Sequence, residues 1–389
     1  MKYLITGGGT GGHIYPALAI VEAIRRNDPD SVILYVGVRG KADEEILKDK
    51  VEAKKFDIKF VRSSGFPRRI FSFKVFKFIF NLKIGISKSF FILLKFNPDI
   101  IIGTGGFGAF PIFFANLFFR KKTFIHEQNV HPGLANEIMG KISKRIGVSF
   151  KETLNFFPKE KTTFVGYPLR QIIKPLNKEA SKIKLGFQPK KKIIFFFGGS
   201  QGARSINNVV VELLPVFLEK ENIGIIHSAG RYVSSEYDAY SDTISKLNGK
   251  GIKGSITGKY LIERYFNNMG EVYSATDLVV SRSGAGTINE LSAMGIPSIL
   301  VPKSLVPGNH QFYNAKALAD VGAAVIVKEK ILSENGRKYE WINPKELMEI
   351  IMDVINNDSK LENMSNSVKS IYISDAPERI CVEIFSLIK

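Results

Sequence analysis

MKYLITGGGTGGHIYP, residues 1–16, decides how this 389-residue chain begins to fold. Residues 2–6 are an apolar run of strand length, and GGGTGG at 7–12 is a turn that glycine makes most easily. The apolar spacing of PALAIVEAIRRN at 16–27 predicts a helix directly afterwards, with Pro16 in its first turn. A helix start offers unpaired N–H groups and a partial positive charge, which attract phosphate or other anionic groups. The same arrangement returns in IIFFFGGSQGARSIN at 193–207. Two such units predict two similar α/β domains facing one another across a cleft, a plan suited to a nucleotide-linked substrate.

Strands are expected at 2–6, 31–37, 99–103, 123–127, 144–149 and 162–165, with helical patterns between them. The rhythm resumes with strands at 193–197, 222–228, 278–281, 297–301 and 323–327. Helices are expected at 203–219, 285–294, 311–321, 344–356 and 376–389. This alternation argues for doubly wound parallel sheets with helices on both faces. The stretch 167–192 mixes prolines with lysines and contains the linker.

Hydrophobic content of 44% and charged content of 24% are ordinary for a globular protein, and the length allows two cores. The single cysteine, Cys381, excludes an internal disulfide and fits a reducing compartment. A strand beginning this early leaves no room for a signal peptide, so a cytoplasmic location is expected.

The net charge is +18, and its distribution is uneven. Between Val61 and Lys122 eleven Lys/Arg face one acid, Asp99, and fifteen of the thirty phenylalanines fall in the same window. Nucleic acid is one partner for such a surface and a membrane is the other. Base-stacking platforms place a few aromatics on strands, whereas here they form the dense runs FSFKVFKFIF at 71–80 and FFILLKF at 90–96. An anionic membrane surface is therefore the expected partner, and nucleic acid is not.

On a helix Lys74, Lys77, Lys88 and Lys95 gather with Asn81 on one face, leaving Val75, Phe76, Ile79 and Phe80 on another. Lys83 falls on the apolar side, so the helix either breaks near Gly85 or lets Lys83 reach outward. Such a helix lies in a bilayer interface with its lysines toward anionic headgroups. IFFANLFFRKK at 112–122 adds a second cluster. Charges interrupt every stretch of about 18 residues here, which argues against a membrane span. The plain alternative is a core helix beneath a basic surface.

Gly7, Gly9 and Gly12 satisfy GxGxxG, so a dinucleotide-binding domain has to be weighed. The ribose-binding acid it wants is absent from Val36-Gly37-Val38-Arg39-Gly40, although Arg39 would suit a 2′-phosphate and an NADP-dependent reductase. His13 ends the loop, where a dehydrogenase needs no histidine; it is a candidate general base, or else a cap or a ligand contact. HEQN at 126–129 follows a strand, so Glu127 and Asn129 emerge at its carboxyl end, where open α/β sheets bind ligands. A hydrogen-bonded turn is the plainer reading of those residues. GTGGFGAFP at 103–111 is a further glycine loop on that edge.

In the second half SRSGAGTINELSAMG, 281–295, opens a helix with a turn of small residues and places Glu290 one to two turns in. That carboxylate suits ribose hydroxyls, and the preceding N–H groups suit phosphates; a capped helix with a solvated Glu290 is the alternative. Asn309, His310 and Gln311 stand at another helix start, suited to sugar hydroxyls or to capping. Ser200 and Gln201 would face a diphosphate. No metal site is expected: the only D-x-D, Asp28-Pro29-Asp30, precedes a strand, and the five histidines are scattered. A departing diphosphate would have to be stabilised by helix ends and loop N–H groups.

GGTGGH, HEQN, GGSQGAR and SG-x-x-T-x-x-E with a Gln-containing helix start stand here in the order and spacing of one family. Over nearly its whole length the chain resembles the peptidoglycan glycosyltransferases of glycosyltransferase family 28. The resemblance implies the two-domain GT-B fold, with 1–166 binding acceptor and membrane and 167–371 binding UDP-sugar. The last helix, about 372–389, would cross back to the first domain. It implies inverting transfer of N-acetylglucosamine from UDP-N-acetylglucosamine to the C4 hydroxyl of undecaprenyl-diphospho-muramyl-pentapeptide, lipid I. That reaction makes lipid II for peptidoglycan, without a cofactor, peripherally at the cytoplasmic face of the membrane.

By the same resemblance Ser200 contacts the diphosphate, Glu290 the ribose, and Ala285, Gly286, Thr287, Ile288 and Asn289 the nucleotide generally. Phe266 falls where the family has an apolar residue beside uracil. His310 and Gln311 would hold the sugar, and Thr10, Gly11, Gly12 and Asn129 would reach it from the first domain. Arg170 would sit at the hinge, where GYPLR carries Tyr167 in place of the Asn of some relatives. The base is His13 or, second, Glu127. The stretch 328–342 looks longer than the family pattern and has no assigned role. Rival readings are a diacylglycerol glycosyltransferase, the NADP-dependent reductase, and a UDP-sugar-binding partner without turnover.

Overall fold

The computed structural model describes residues 1–40, 43–44, 46–47, 56–65, 73–234, 237–304, 307–334 and 336–388. They form two compact units, one of Met1–Arg170 with Ile373–Lys389 and the other of Gln171–Tyr372.

In the first unit β1 (Lys2–Thr6), β2 (Val32–Val38), β3 (Asp57–Val61), β4 (Ile100–Gly103), β5 (Lys122–Glu127), β6 (Arg145–Val148) and β7 (Thr162–Phe164) make one sheet. All pairings are parallel and the order is β3-β2-β1-β4-β5-β6-β7. Strands this apolar belong in a sheet covered on both faces. Tyr3 and Ile5 point to a core shared with α1 (Gly11–Asn27) and the C-terminal helix Ala376–Ile388. Leu4 points the other way, toward α2 (Phe73–Phe96), α3 (Phe110–Phe119) and α4 (Leu134–Ile142). The C-terminal helix packs on α1, with Arg26 and Arg145 reaching Glu378 and Glu383 at 3.0 and 3.3 Å.

The second unit repeats the winding. Its strands are β8 (Lys192–Phe197), β9 (Ile223–Ser228), β10 (Tyr260–Glu263), β11 (Leu278–Ser281), β12 (Ser298–Leu300) and β13 (Ala324–Ile326). They lie parallel in the order β10-β9-β8-β11-β12-β13. Around them stand α5 (Lys178–Lys184), α6 (Arg204–Leu218), α7 (Ala239–Gly249), α8 (Met269–Ala275) and α9 (Ala285–Met294). The chain continues through α10 (His310–Asp320), α11 (Pro344–Ile355) and α12 (Asp358–Ser370). A separate antiparallel hairpin pairs β14 (Lys330–Glu334) with β15 (Arg337–Trp341).

In both sheets the strand order reverses beside the first strand, at β1/β4 and at β8/β11. Open α/β sheets bind ligands in the crevice outside the carboxyl ends of strands at such a reversal. Both glycine loops leave the sheet there.

One expectation needs correction, and one open choice is decided. Pro16 is the sixth residue of α1, because the glycines 11 and 12 themselves enter the helix. α2 does not break near Gly85: that glycine is buried inside the helix and lets the Arg62 carbonyl approach, to which a Cβ would come within 2.3 Å. Lys83 is exposed, so outward reach resolves its misfit. Buried against the sheet α2 presents Gly85, Ser89, Ile92 and Leu93, while Phe76 and Phe80 stay 74% and 62% exposed. Phe91 and Leu94, further along α2, and Phe118 of α3 at 75% are exposed as well. Lys88 is exposed, whereas the Lys74 and Lys77 side chains lie outside the described residues. Among the described residues no helix is long and apolar enough to cross a membrane.

Candidate functional site

At the β1/β4 reversal two glycine loops touch. A Cβ on Gly7 would meet Thr104 Oγ1 at 1.9 Å, so the loops at 7–10 and 104–109 approach as closely as backbone allows. Gly106, at φ +74°, would put a Cβ 2.4 Å from the Gly8 carbonyl and 2.8 Å from the His13 ring. Gly8, Gly9, Gly106, His13, Thr10, Glu127, Asn136, Phe107 and Leu134 line a pocket of about 340 Å³.

The His13 ring is held in one tautomer. Its Nδ1 lies 2.9 Å from the Thr104 carbonyl and 3.1 Å from Gln128 Oε1. Gln128 Nε2 donates to the His126 carbonyl at 2.9 Å, which turns Oε1 toward His13. Both neighbours of Nδ1 are acceptors, so Nδ1 carries the proton and Nε2 keeps its lone pair. Thr104 Oγ1 returns a bond to the His13 carbonyl at 2.7 Å, fixing the first turn of α1. Nε2 is thus ready to accept a proton.

Glu127 is arranged otherwise. Its Oε1 accepts from the Asn129 N–H at 2.8 Å and Nδ2 at 3.0 Å. Oε2 accepts from the Gly133 N–H at 3.1 Å and Asn136 Nδ2 at 2.8 Å. Four donors around a 1%-exposed carboxylate order the 129–133 loop and the start of α4. This is the hydrogen-bonded turn that HEQN allows, and it also commits Asn129 to Glu127. Thr10, Gly11 and Gly12 stand at the opening turn of α1, with Thr10 and Gly12 exposed. Arg170, the last residue of the first unit's main segment, lays its guanidinium 4.1 Å from the Tyr15 ring centre.

Sequence reasoning missed Asp43. Its carboxyl accepts from the Gly9 N–H at 2.7 Å and the Val38 N–H at 2.9 Å, while burial raises its pKa above the usual carboxylate value. One N–H of the loop that a dinucleotide's phosphate would face is therefore taken internally. HEQN contained Gln128 without marking its role, Thr104 was hidden inside GTGGFGAFP, and no signal pointed to Asn136.

At the β8/β11 reversal of the second unit the loop at 198–203 makes the corresponding turn. A Cβ on Gly202, at φ +81°, would strike the Ala229 carbonyl at 2.1 Å. Ser200 is partly exposed, and its carbonyl accepts from the Arg231 N–H at 3.0 Å. Among the described residues no carboxylate takes an N–H of this loop. Beside it α9 begins at Ala285, and Glu290 Oε2 accepts from the Tyr273 hydroxyl at 2.9 Å. Phe266 is 6.1 Å from Phe195, edge to face, and mostly buried.

Ser283 joins α9 to α10, donating to the Gln311 carbonyl at 2.8 Å while its own carbonyl accepts from Asn314 at 3.2 Å. Gln311 Oε1 accepts from the Lys303 N–H at 2.9 Å, and His310 opens α10 partly exposed. Gly286 and Thr287 are partly exposed. Ile288 is fully buried in the core, leaving it only backbone to offer a ligand. Asn289 Nδ2 folds back to the Ala285 carbonyl at 2.8 Å. Among the described residues no three His, Cys, Asp or Glu side chains gather as metal ligands.

Two Rossmann-like units, each with a glycine loop at its strand reversal, are the architecture of GT-B glycosyltransferases. The chain belongs to glycosyltransferase family 28: residues 3–148 match its N-terminal domain and residues 193–380 its C-terminal domain. It is 35% identical over 381 residues to the UDP-N-acetylglucosamine–N-acetylmuramyl-(pentapeptide) pyrophosphoryl-undecaprenol N-acetylglucosamine transferase of Acetivibrio thermocellus. That match covers 98% of this chain and 96% of the relative. Among solved structures, Acinetobacter baumannii MurG superposes with a TM-score of 0.70 at 22% identity, over 99% of both chains. The UDP-GlcNAc 2-epimerase of Neisseria meningitidis bound to UDP-GlcNAc reaches 0.66 at 13% identity, covering 99% of this chain and all of the other. Fold alone therefore does not choose between sugar transfer and epimerisation.

Proposed function

We propose that this chain transfers N-acetylglucosamine from UDP-N-acetylglucosamine to the C4 hydroxyl of undecaprenyl-diphospho-muramyl-pentapeptide, with inversion at the anomeric carbon. The observation that carries this reading is the tautomer-locked His13 beside the glycine loops of the first unit, in a chain similar over nearly its full length to enzymes of that name. His13 Nε2 takes the hydroxyl proton as the oxygen attacks the anomeric carbon. The bond from that carbon to UDP breaks, and the diphosphate leaves toward the N–H groups opening α6 and α9.

Ser200 and residues 285–289 serve the nucleotide, Glu290 the ribose, Phe266 the uracil, and His310 and Gln311 the sugar. Residues 10–12, Asn129 and Arg170 belong to the sugar and acceptor side. Glu127, with its four donors filled, shapes that side and leaves the proton to His13. UDP release is the test. Release that depends on a short-chain lipid-linked muramyl-pentapeptide and yields a β1→4 disaccharide is expected. Release with diacylglycerol alone, or UDP-sugar binding without release, would overturn the acceptor assignment.

The exposed aromatic surface of α2 and α3, with Lys88 beside it, supports peripheral attachment to an anionic membrane at the cytoplasmic face. Replacing Phe76 and Phe80 with serine is expected to weaken co-sedimentation with phosphatidylglycerol vesicles about a hundredfold or more, since each buried phenylalanine contributes about 1.5–3 kcal/mol. Unchanged sedimentation would remove this surface from membrane attachment.

A further inference from the structure

The hairpin β14–β15 lies within the stretch to which the family pattern assigns nothing. It packs on α6, the helix that follows the 198–203 loop, and sends Glu340 back to Arg282. Arg282 is buried and stands immediately before the Ser283-Gly284-Ala285 turn. Its Nη1 donates to the Val301 carbonyl at 3.1 Å, at the end of β12. Its Nη2 donates to Ser205 Oγ at 3.0 Å, in the first turn of α6, and to Glu340 Oε2 at 3.3 Å. Glu329, one residue before β14, places Oε1 2.7 Å from the same Nη2. Its Oε2 accepts from the Ser304 N–H at 3.4 Å.

One guanidinium thus ties together three backbone segments: the start of α6, the turn before α9, and the 301–304 segment that leads to α10. Those segments adjoin the 198–203 loop with Ser200, the helix α9 with Glu290 and the helix α10 with Gln311. Two of its four partners, Glu329 and Glu340, come from the hairpin or its first flank. A buried arginine held by several acceptors loses its freedom to shift, and so do the loops attached to it.

We propose that the hairpin acts as a clamp on the nucleotide-sugar loops, with Glu340 a positioning residue that holds Arg282. The inference rests on the reading that the second unit binds UDP-N-acetylglucosamine. Glu340 touches no substrate in this scheme; it sets where the loop N–H groups and Glu290 stand.

Calorimetric titration of UDP-N-acetylglucosamine into the full-length protein tests it, beside acceptor KM and melting temperature. Glu340→Ala is expected to weaken UDP-N-acetylglucosamine binding about three- to tenfold, as expected for loss of one charge-assisted hydrogen bond. The acceptor KM should stay unchanged. Glu340→Gln should recover most of the affinity, because its amide oxygen still accepts from Arg282. Lys338→Ala, exposed on the same strand, should bind as the wild type does. A purely structural hairpin would lower the melting temperature and the active fraction without moving the dissociation constant, and that result overturns the proposal. Tighter binding by Glu340→Ala, the result expected if the carboxylate merely repels the diphosphate, overturns it as well. Failure of the wild type to bind UDP-N-acetylglucosamine would instead strike the underlying reading, and the clamp with it.

Discussion

A His13→Ala enzyme is expected to lose about two to four orders of magnitude in kcat, the usual contribution of a positioned general base. Its affinity for UDP-N-acetylglucosamine should stay within about twofold, because His13 belongs to the first unit and the nucleotide contacts are assigned to the second. The geometry behind this is specific. The Thr104 carbonyl and Gln128 Oε1 both require a proton on Nδ1, so the lone pair is confined to Nε2. Gln128 is itself oriented by His126, whose Nδ1 lies 3.2 Å from Gln128 Nε2. A chain of buried amide and imidazole groups therefore selects the basic nitrogen. Steady-state kinetics with both substrates varied would decide the matter. Full turnover in His13→Ala with unchanged affinities would remove His13 as the base.

Mild acid is expected to destabilise each unit through one buried histidine. His126 in the first unit is fully buried, which pushes its pKa down to about 4 despite the bond between Nε2 and the Gly166 carbonyl at 2.9 Å. Burial likewise pushes His227 in the second unit down to about 3. Its Nδ1 and Nε2 sit 2.9 Å from the Tyr260 hydroxyl and 3.1 Å from Asn207 Oδ1, with no ionised partner to welcome a proton.

A histidine whose folded pKa lies below its unfolded value of about 6.5 takes up its proton mainly on unfolding. Its folded form is then fully favoured above pH 6.5 and loses ground as pH falls toward the folded value. The slope is about 1.4 kcal/mol per pH unit for each histidine, so about 2 kcal/mol per unit should vanish between pH 6.5 and 5. That window lies above most carboxylate titrations. Denaturant melts across it should show the fall, and His227→Gln should flatten the second unit's slope by one proton whatever it does to stability at pH 7. A slope that His227→Gln leaves unaltered would mean that His227 is not the group being protonated.

The parts of the fold legible from sequence were those with a local cause. Central strands such as Lys192–Phe197 are continuous apolar runs, and the turns after them are written in glycine. The edge strands β3 and β10 were missed, since DIKFV and YLIE mix charges into short runs that pair on one side only. Helices α5, α7, α8 and α12 also went unread; several are short or polar and owe their position to what they pack against.

The site divides in the same way. His13, Glu127, Ser200, Glu290 and Gln311 could be named because each follows a strand or opens a helix. What they do locally could not be read, because their partners lie far along the chain. Thr104 sits 91 residues from His13, and Gln128 sits 115 away. Asp43 reaches Gly9 across 34 residues, and nothing in the sequence around Asp43 marks it.

That reach has a consequence for traffic through the enzyme. Two copies of one fold create a risk that a phosphate-bearing molecule lodges in the wrong copy and blocks the partner meant for it. With the Asp43 carboxyl already seated on the Gly9 N–H, the first copy has one backbone donor fewer to offer a nucleotide phosphate, while the corresponding turn of the second carries no carboxylate among the described residues. A single side chain thus breaks the symmetry of a duplicated architecture. Nucleotide mimics designed as inhibitors should for this reason favour the second unit.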